Sequence, residues 1–81
     1  MSQREEILDL IAQEARLDRA RLDLLATPAA LGVRSLDLVQ VAFALEDRYG
    51  ITLPYSDPAA LGQASVASLV ETVEGLLASR P

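Results

Sequence analysis

The stretch GVRSLDLVQ, residues 32–40, places a serine where a glycine-containing loop gives way to an apolar helix pattern. A serine at such a point is most often an N-cap, whose hydroxyl accepts a hydrogen bond from a backbone N–H of the first turn. A helix N-terminus also stabilises a phosphate attached to such a hydroxyl, through its free N–H groups and its dipole. Ser35 is therefore a candidate both for capping and for covalent modification by another protein.

The residue types that would let Ser35 act as its own nucleophile are missing. The chain has no His and no Cys, and all seven of its basic side chains are Arg, so it has no Lys. A serine nucleophile needs a His or Lys base beside it. Without Cys there is also no thiolate, disulfide or Cys-based metal site. We therefore expect no catalytic residue, no metal site and no enzymatic activity.

The composition predicts a single domain over residues 1–81, built from helices. Of the 81 residues, 51% are hydrophobic but only 4% are aromatic, so the core must consist of Leu, Val, Ile and Ala. Abundant Ala and Leu, with few aromatic residues, favour packed helices over a β-sandwich. We expect an all-α bundle with three main helices, one short helix and a long first loop.

The first helix is predicted from Gln3 to Arg16. Ser2 and Glu5 match a capping box at its start, and Arg16 in the last turn suits the helix dipole. Residues 17–34 are too apolar for a free linker, so we expect this connection to lie against the bundle. Short turns are expected within it near residues 19–22 or 28–31.

The second helix, predicted from Leu36 to Tyr49 with Ser35 as its cap and Gly50 at its end, has more apolar residues than one face needs. Its core face consists of Leu38, Val41, Ala42, Leu45 and Tyr49. A second stripe, roughly 120° away on the helical wheel, consists of Leu36, Val39 and Phe43, bordered by Gln40, Glu46 and Asp47. We expect the second stripe to bind a partner; the alternative is that a neighbouring helix or loop, for example the long first loop, covers it.

Fewer sequence signals define the last two helices. Residues 51–54 are predicted to be extended. A brief third helix over residues 57–61 is predicted to start at Ser56 or Asp57 and to stop at Gly62. Ser65 is predicted to cap a fourth helix over residues 66–78, in which Gly75 costs about 1 kcal/mol relative to Ala.

The net charge of −5 argues against a nucleic-acid ligand, which relies on basic surface. Residues 35–81 carry six acids and two arginines, so this half is the better docking surface for a basic protein. No apolar run approaches the roughly 20 residues of a membrane span, and the chain begins with charges rather than a signal peptide. We expect a soluble, cytoplasmic monomer that does not bind membranes.

The order of motifs over residues 31–54 resembles that of the acyl carrier proteins. That family has a Leu-Gly pair, then Asp-Ser-Leu and an acidic residue, an amphipathic helix, and an aromatic-Gly-Ile-x-hydrophobic-Pro ending. The matching positions are Leu31-Gly32, Ser35-Leu36-Asp37, Ala44-Leu45-Glu46-Asp47, Tyr49-Gly50-Ile51 through Pro54, and Ser65-Val66 with Leu69-Val70. The resemblance extends over nearly the whole chain.

The resemblance implies a four-helix carrier bundle in which a separate transferase, using a metal ion, attaches 4'-phosphopantetheine from coenzyme A to Ser35. The thiol of that arm then carries an acyl or aminoacyl group as a thioester, and the carried chain can shelter between helices. The implied partners are a phosphopantetheinyl transferase, a loading ligase or transferase, and a downstream synthase. The implied recognition residues are Leu36, Val39 and Phe43 as apolar contacts and Asp37, Glu46 and Asp47 as acidic contacts.

Three positions depart from the family pattern. Arg34 replaces the Asp before the serine, Gln40 stands where many carriers have Glu, and Arg48 interrupts the acidic run. Arg34 and Gln40 are therefore added to the predicted recognition residues. We interpret the chain as a carrier of a specialised pathway, and its length favours a free-standing carrier. The alternatives are a carrier-like interaction module that is not phosphopantetheinylated, which Arg34 favours, and a structural helical domain unrelated to carriers.

Overall fold

A computed structural model describes residues 2–55 and 57–79, and these form four α-helices without a strand. The helices are α1 (Gln3–Ala15), α2 (Ser35–Tyr49), α3 (Pro58–Gln63) and α4 (Val66–Ala78), with a 3₁₀ turn at Arg19–Arg21 in the long first connection. The predicted all-α bundle of three main helices and one short helix is confirmed. Ser56, one of the two predicted starts of the third helix, lies outside the described residues.

Helix α1 begins as predicted but ends one residue early. The Ser2 hydroxyl accepts a hydrogen bond from the backbone N–H of Glu5 at 3.2 Å, which confirms the N-cap. Arg16 lies beyond the helix in a left-handed conformation (φ 61°), and the N–H of Leu17 reaches back to the carbonyl of Ala12 at 2.9 Å. Such a closing turn is usual at helix ends but favours Gly. The prediction that Arg16 lies in the last turn is therefore wrong.

The first connection lies against the bundle, as predicted. Leu22 is buried in the core. The backbone carbonyls of Leu24 and Ala26 accept hydrogen bonds from the N–H groups of Ala67 and Val66, both at 2.9 Å. Those two N–H groups belong to the first turn of α4, where no helical carbonyl is available to them. The connection therefore completes the α4 N-terminus, beside the side-chain cap that Ser65 supplies as predicted.

Helix α3 continues through the glycine that was predicted to stop it. Asp57 is its N-cap, with a carboxylate that accepts a first-turn N–H at 2.8 Å, and the helix itself runs from Pro58 to Gln63. Gly62 is a buried helical residue, and a Cβ at its position would lie 2.9 Å from Cδ1 of Leu38 in α2. The prediction is wrong because Gly62 serves close helix packing rather than helix termination.

Helices α1 and α2 pack antiparallel. Arg48 at the end of α2 pairs with Glu6 near the start of α1 at 3.5 Å, and Arg16 pairs with Asp37 at the opposite ends at 3.8 Å.

One cluster of buried side chains joins all four helices and the connections. Its members are Ile7, Leu8, Ile11, Ala12, Ala15, Leu22, Leu38, Val41, Leu45, Leu53, Leu61, Val66, Leu69, Val70 and Val73.

Two glycine substitutions should have opposite effects on stability. Gly62→Ala should lower the free energy of unfolding by about 1–3 kcal/mol, because the added methyl group overpacks against Leu38. Gly75→Ala should raise it by about 0.5–1 kcal/mol, because nothing lies within 4 Å of the new Cβ and Ala is the better helix former. Urea unfolding of both variants measures the difference. Equal effects of the two substitutions would contradict the close packing of α3 on α2.

Candidate functional site

Ser35 is the first residue of α2 and not its cap. Arg34 takes the N-cap position, with extended backbone angles (φ −82°, ψ 159°) and a carbonyl that accepts the N–H of Leu38 at 2.9 Å. Its side chain makes no capping hydrogen bond. A capping hydroxyl must belong to the residue whose backbone is still extended, and Ser35 has already entered the helix. The predicted capping role of Ser35 is therefore wrong, and the helix starts one residue before the predicted Leu36.

This position leaves the Ser35 hydroxyl available. Ser35 is exposed, and its hydroxyl makes no hydrogen bond to any residue that the structure describes. No side chain satisfies the first-turn N–H groups of α2 either. Such N–H groups favour an anion at the helix start. An accessible hydroxyl beside them fits a covalently attached phosphate ester.

The second apolar stripe of α2 is exposed, as expected. Leu36 is 72% exposed and Phe43 is 63% exposed, while Val39 is half-buried. The alternative, that a neighbouring helix or loop covers the stripe, is therefore wrong for Leu36 and Phe43, and only Val39 is partly covered. On the opposite face Leu38, Val41 and Leu45 are buried, and Ala42 and Tyr49 are half-buried against the core. Burial also raises the pKa of the Tyr49 phenol above its ordinary value.

Two of the three predicted acidic contacts already have partners within the chain. The Asp37 side chain is only 13% exposed, and its Oδ1 lies 3.8 Å from Nε of Arg16. Oε2 of Glu46 accepts the backbone N–H of Leu53 at 2.8 Å, which ties the loop after α2 back onto the helix. Asp47 is exposed and has no ion pair or hydrogen bond in the described part of the chain. The three carboxylates are therefore not equivalent.

The polar residues that depart from the carrier pattern also differ in their surroundings. Arg34 and Gln40 are exposed, and Arg34 forms no ion pair with any described residue. Arg48 pairs with Glu6 of α1. Arg34 therefore places an unneutralised positive charge directly before Ser35.

Glu14 of α1 lies in the same depression as several of the predicted α2 recognition residues, which the sequence did not predict. An open depression of about 580 Å³ lies between α1 and α2. Its lining consists of Glu14, Gln40, Phe43, Ala44, Glu46 and Asp47. The spacing within either helix alone does not show which residues of the other helix lie beside it, so only the antiparallel packing reveals this contribution.

An apolar groove of about 230 Å³ lies on the other side of α2, toward α3. Its lining consists of Leu38, Val39, Ala42, Phe43, Leu53, Tyr55, Asp57, Pro58 and Leu61. Phe43 therefore borders both hollows, one lined mainly by apolar side chains and one containing three carboxylates. Within the described residues, no group of His, Cys, Asp and Glu is placed to hold a metal ion.

A family model described as the phosphopantetheine attachment site matches residues 5–73. Because the match covers most of the chain and the fold is the expected helical bundle, the protein belongs to this family of phosphopantetheine carriers. Such carriers hold covalent 4'-phosphopantetheine and are not themselves enzymes. No curated protein and no solved structure matches the chain. No helix in the described residues is long and apolar enough to cross a membrane.

Two neighbouring carboxylates should differ in their effect on stability. Glu46→Ala should lower the free energy of unfolding by about 1.5–3 kcal/mol, because it removes a hydrogen bond from Leu53 N–H to a charged acceptor. Asp47→Ala should change it by no more than about 0.5 kcal/mol, as for other surface substitutions. Both variants lose one negative charge, so the comparison in urea unfolding isolates the hydrogen bond. A Glu46→Ala protein as stable as the Asp47→Ala protein would contradict the structural role of Glu46.

Proposed function

We propose that this protein is an acyl or aminoacyl carrier whose phosphopantetheine arm is attached to Ser35. The observation that carries the proposal is the state of Ser35: an exposed hydroxyl without a hydrogen bond, at the uncapped start of α2, beside the exposed Leu36. Two other described serines stand at helix starts, Ser2 before α1 and Ser65 before α4, and both use their hydroxyls as caps. Ser35 is thus chemically free where a partner enzyme can reach it.

Attachment requires a separate enzyme. In the proposed step the Ser35 Oγ forms a bond to the phosphorus of coenzyme A that bears the pantetheine, and the nucleotide part leaves as 3',5'-adenosine bisphosphate. In the same step the hydroxyl proton passes to a base of the transferase. The first-turn N–H groups of α2 stabilise the charge of the phosphodiester. When attached, the arm supplies a thiol that carries the substrate as a thioester.

The recognition face proposed for partner enzymes is the second stripe of α2 with its polar border. It consists of Arg34, Leu36, Asp37, Val39, Gln40, Phe43, Glu46 and Asp47. The exposed Leu36 and Phe43 supply the apolar contacts that a protein partner would bury. The proposed partners are a phosphopantetheinyl transferase, a loading ligase or transferase, and a downstream synthase. A cytoplasmic location and a monomeric state stay predictions of the sequence.

The pathway is proposed to be a specialised one. Arg34 places an unpaired positive charge beside Ser35, and Gln40 removes an acid from the border. A transferase whose basic side chains bind acids at these two positions would be repelled by the positive charge of Arg34 and would find no charge at Gln40. The apolar groove between α2 and α3 supports shelter of part of a carried aliphatic chain, since nearly all its lining is apolar.

The modification is tested by incubating the purified apo protein with coenzyme A and several phosphopantetheinyl transferases. The intact mass should rise by one phosphopantetheine in the unsubstituted protein and in Ser68→Ala, which removes an exposed serine of α4. Ser35→Ala should gain no mass although it folds, as circular dichroism would verify. If no transferase modifies the unsubstituted protein, the alternative of an unmodified interaction module is favoured.

Arg34 should decide which transferase accepts the protein. Arg34→Asp should raise kcat/KM with a transferase specific for acidic carriers by ~3–10-fold, the effect of a rim charge contact of about 1 kcal/mol. Arg21→Asp changes the net charge equally, at an exposed position of the 3₁₀ turn. It should leave kcat/KM within about twofold. Equal gains from both substitutions would mean that only the net charge matters.

A further inference from the structure

The residue before Ser35 suits the start of a helix poorly. Arg34 occupies the N-cap of α2, where side chains that accept a first-turn N–H are preferred. A guanidinium can only donate hydrogen bonds, and the Arg34 side chain makes no capping contact. Its positive charge also stands at the positive end of the helix dipole, where a negative charge is favourable. Before any modification, Arg34 therefore disfavours the start of α2 in two ways.

The charge of Arg34 is not neutralised within the described chain. Of the six arginines that the structure describes, only Arg21 and Arg34 form no ion pair. The carboxylate nearest to Arg34 in the sequence belongs to Asp37, which is only 13% exposed and lies 3.8 Å from Nε of Arg16. The Arg34 guanidinium is thus available to an anion that is attached to the folded chain.

The arm proposed for Ser35 would bring such an anion to this position. Its phosphodiester carries one negative charge, shared by two non-bridging oxygens. The phosphodiester would be bonded to the residue next to Arg34, whose Cα lies about 3.8 Å away across a trans peptide bond. Both residues are exposed, so the long Arg side chain can approach the phosphate without any change in the core. A guanidinium binds phosphate oxygens through two parallel N–H bonds.

We infer that the guanidinium of Arg34 pairs with the phosphodiester of the arm on Ser35 and holds the attached end of the arm at the start of α2. This inference rests on the proposed function, because the arm must be attached to Ser35. It gives Arg34 a role in the modified protein that is separate from recognition by a transferase. Attachment supplies the negative charge that the start of α2 lacks, and Arg34 adds an ion pair to the stabilisation that the helix end provides.

Thermal unfolding of the apo and the modified forms tests the inference. The unsubstituted, Arg34→Gln and Arg21→Gln proteins are each modified to completion by a broad-specificity transferase, as intact mass verifies. Attachment should raise Tm equally in the unsubstituted and Arg21→Gln proteins, and the rise should be smaller by about 2–6 °C in Arg34→Gln. Arg21→Gln removes the same charge at another exposed position without an ion pair among the described residues. A purely structural role of Arg34 would change Tm alike in both forms and leave the rise unaltered.

The ³¹P resonance of the arm supplies a second measurement, because it reports on the surroundings of the phosphodiester. Its chemical shift should agree between the unsubstituted and Arg21→Gln proteins and differ in Arg34→Gln. The difference in the rise of Tm should also shrink in about 1 M NaCl, which screens exposed charges. An equal rise of Tm in Arg34→Gln and Arg21→Gln would overturn the inference and leave the proposed function intact. No mass gain in any of the three proteins would overturn the proposed function, and the inference with it.

Discussion

Helix α2 carries more apolar surface than the bundle buries, and the recognition face proposed for partner enzymes depends on that excess. One face of α2 supplies Leu38, Val41 and Leu45 to the core, with 4% exposure or less. The other leaves Leu36 and Phe43 mostly in water. Full burial of each would contribute about 1.5–3 kcal/mol, and the chain by itself forgoes that stabilisation. A partner that covers the stripe would bury Leu36 and Phe43, so the stabilisation that folding lacks would contribute to binding instead.

The packing around α2 keeps this face uncovered. Gly62 lets α3 approach the core side of α2 at Leu38, and the hydrogen bond from Leu53 to Glu46 holds the following loop against the same helix. The first connection is tied to the α4 N-terminus through Leu24, so it does not cross the stripe. The loops are thus fixed where they complete the core, and the start of α2 remains open around Ser35.

The sequence predicted the helices and the exposed stripe well because both follow from local patterns. Helical spacing and the cap at Ser65 depend on residues close in the chain, and Gly50 indeed ends α2 in a left-handed conformation (φ 63°). The errors arose where the backbone conformation of a single residue decides where a helix starts, or where a contact with a distant helix decides the role of a residue. Arg34 rather than Ser35 stays extended before α2, and Gly62 packs against another helix instead of ending its own.

The candidate site was predicted in part for the same reason. The α2 residues could be assigned to faces from their spacing, but a carboxylate does not reveal in the sequence whether it is already engaged. Glu46 accepts a backbone N–H and Asp37 pairs with Arg16, while Asp47 has neither contact among the described residues. Glu14 was missed because the register between α1 and α2 depends on packing of the whole core.

The central claim is that Ser35 holds a phosphopantetheine arm in the cell. Trypsin cleaves after Arg34 and Arg48, so Ser35 becomes the first residue of a peptide over residues 35–48. That peptide, prepared from protein isolated from its native host, should carry the mass of phosphopantetheine, and fragmentation should place it on Ser35. A peptide found only in its unmodified form would contradict the account.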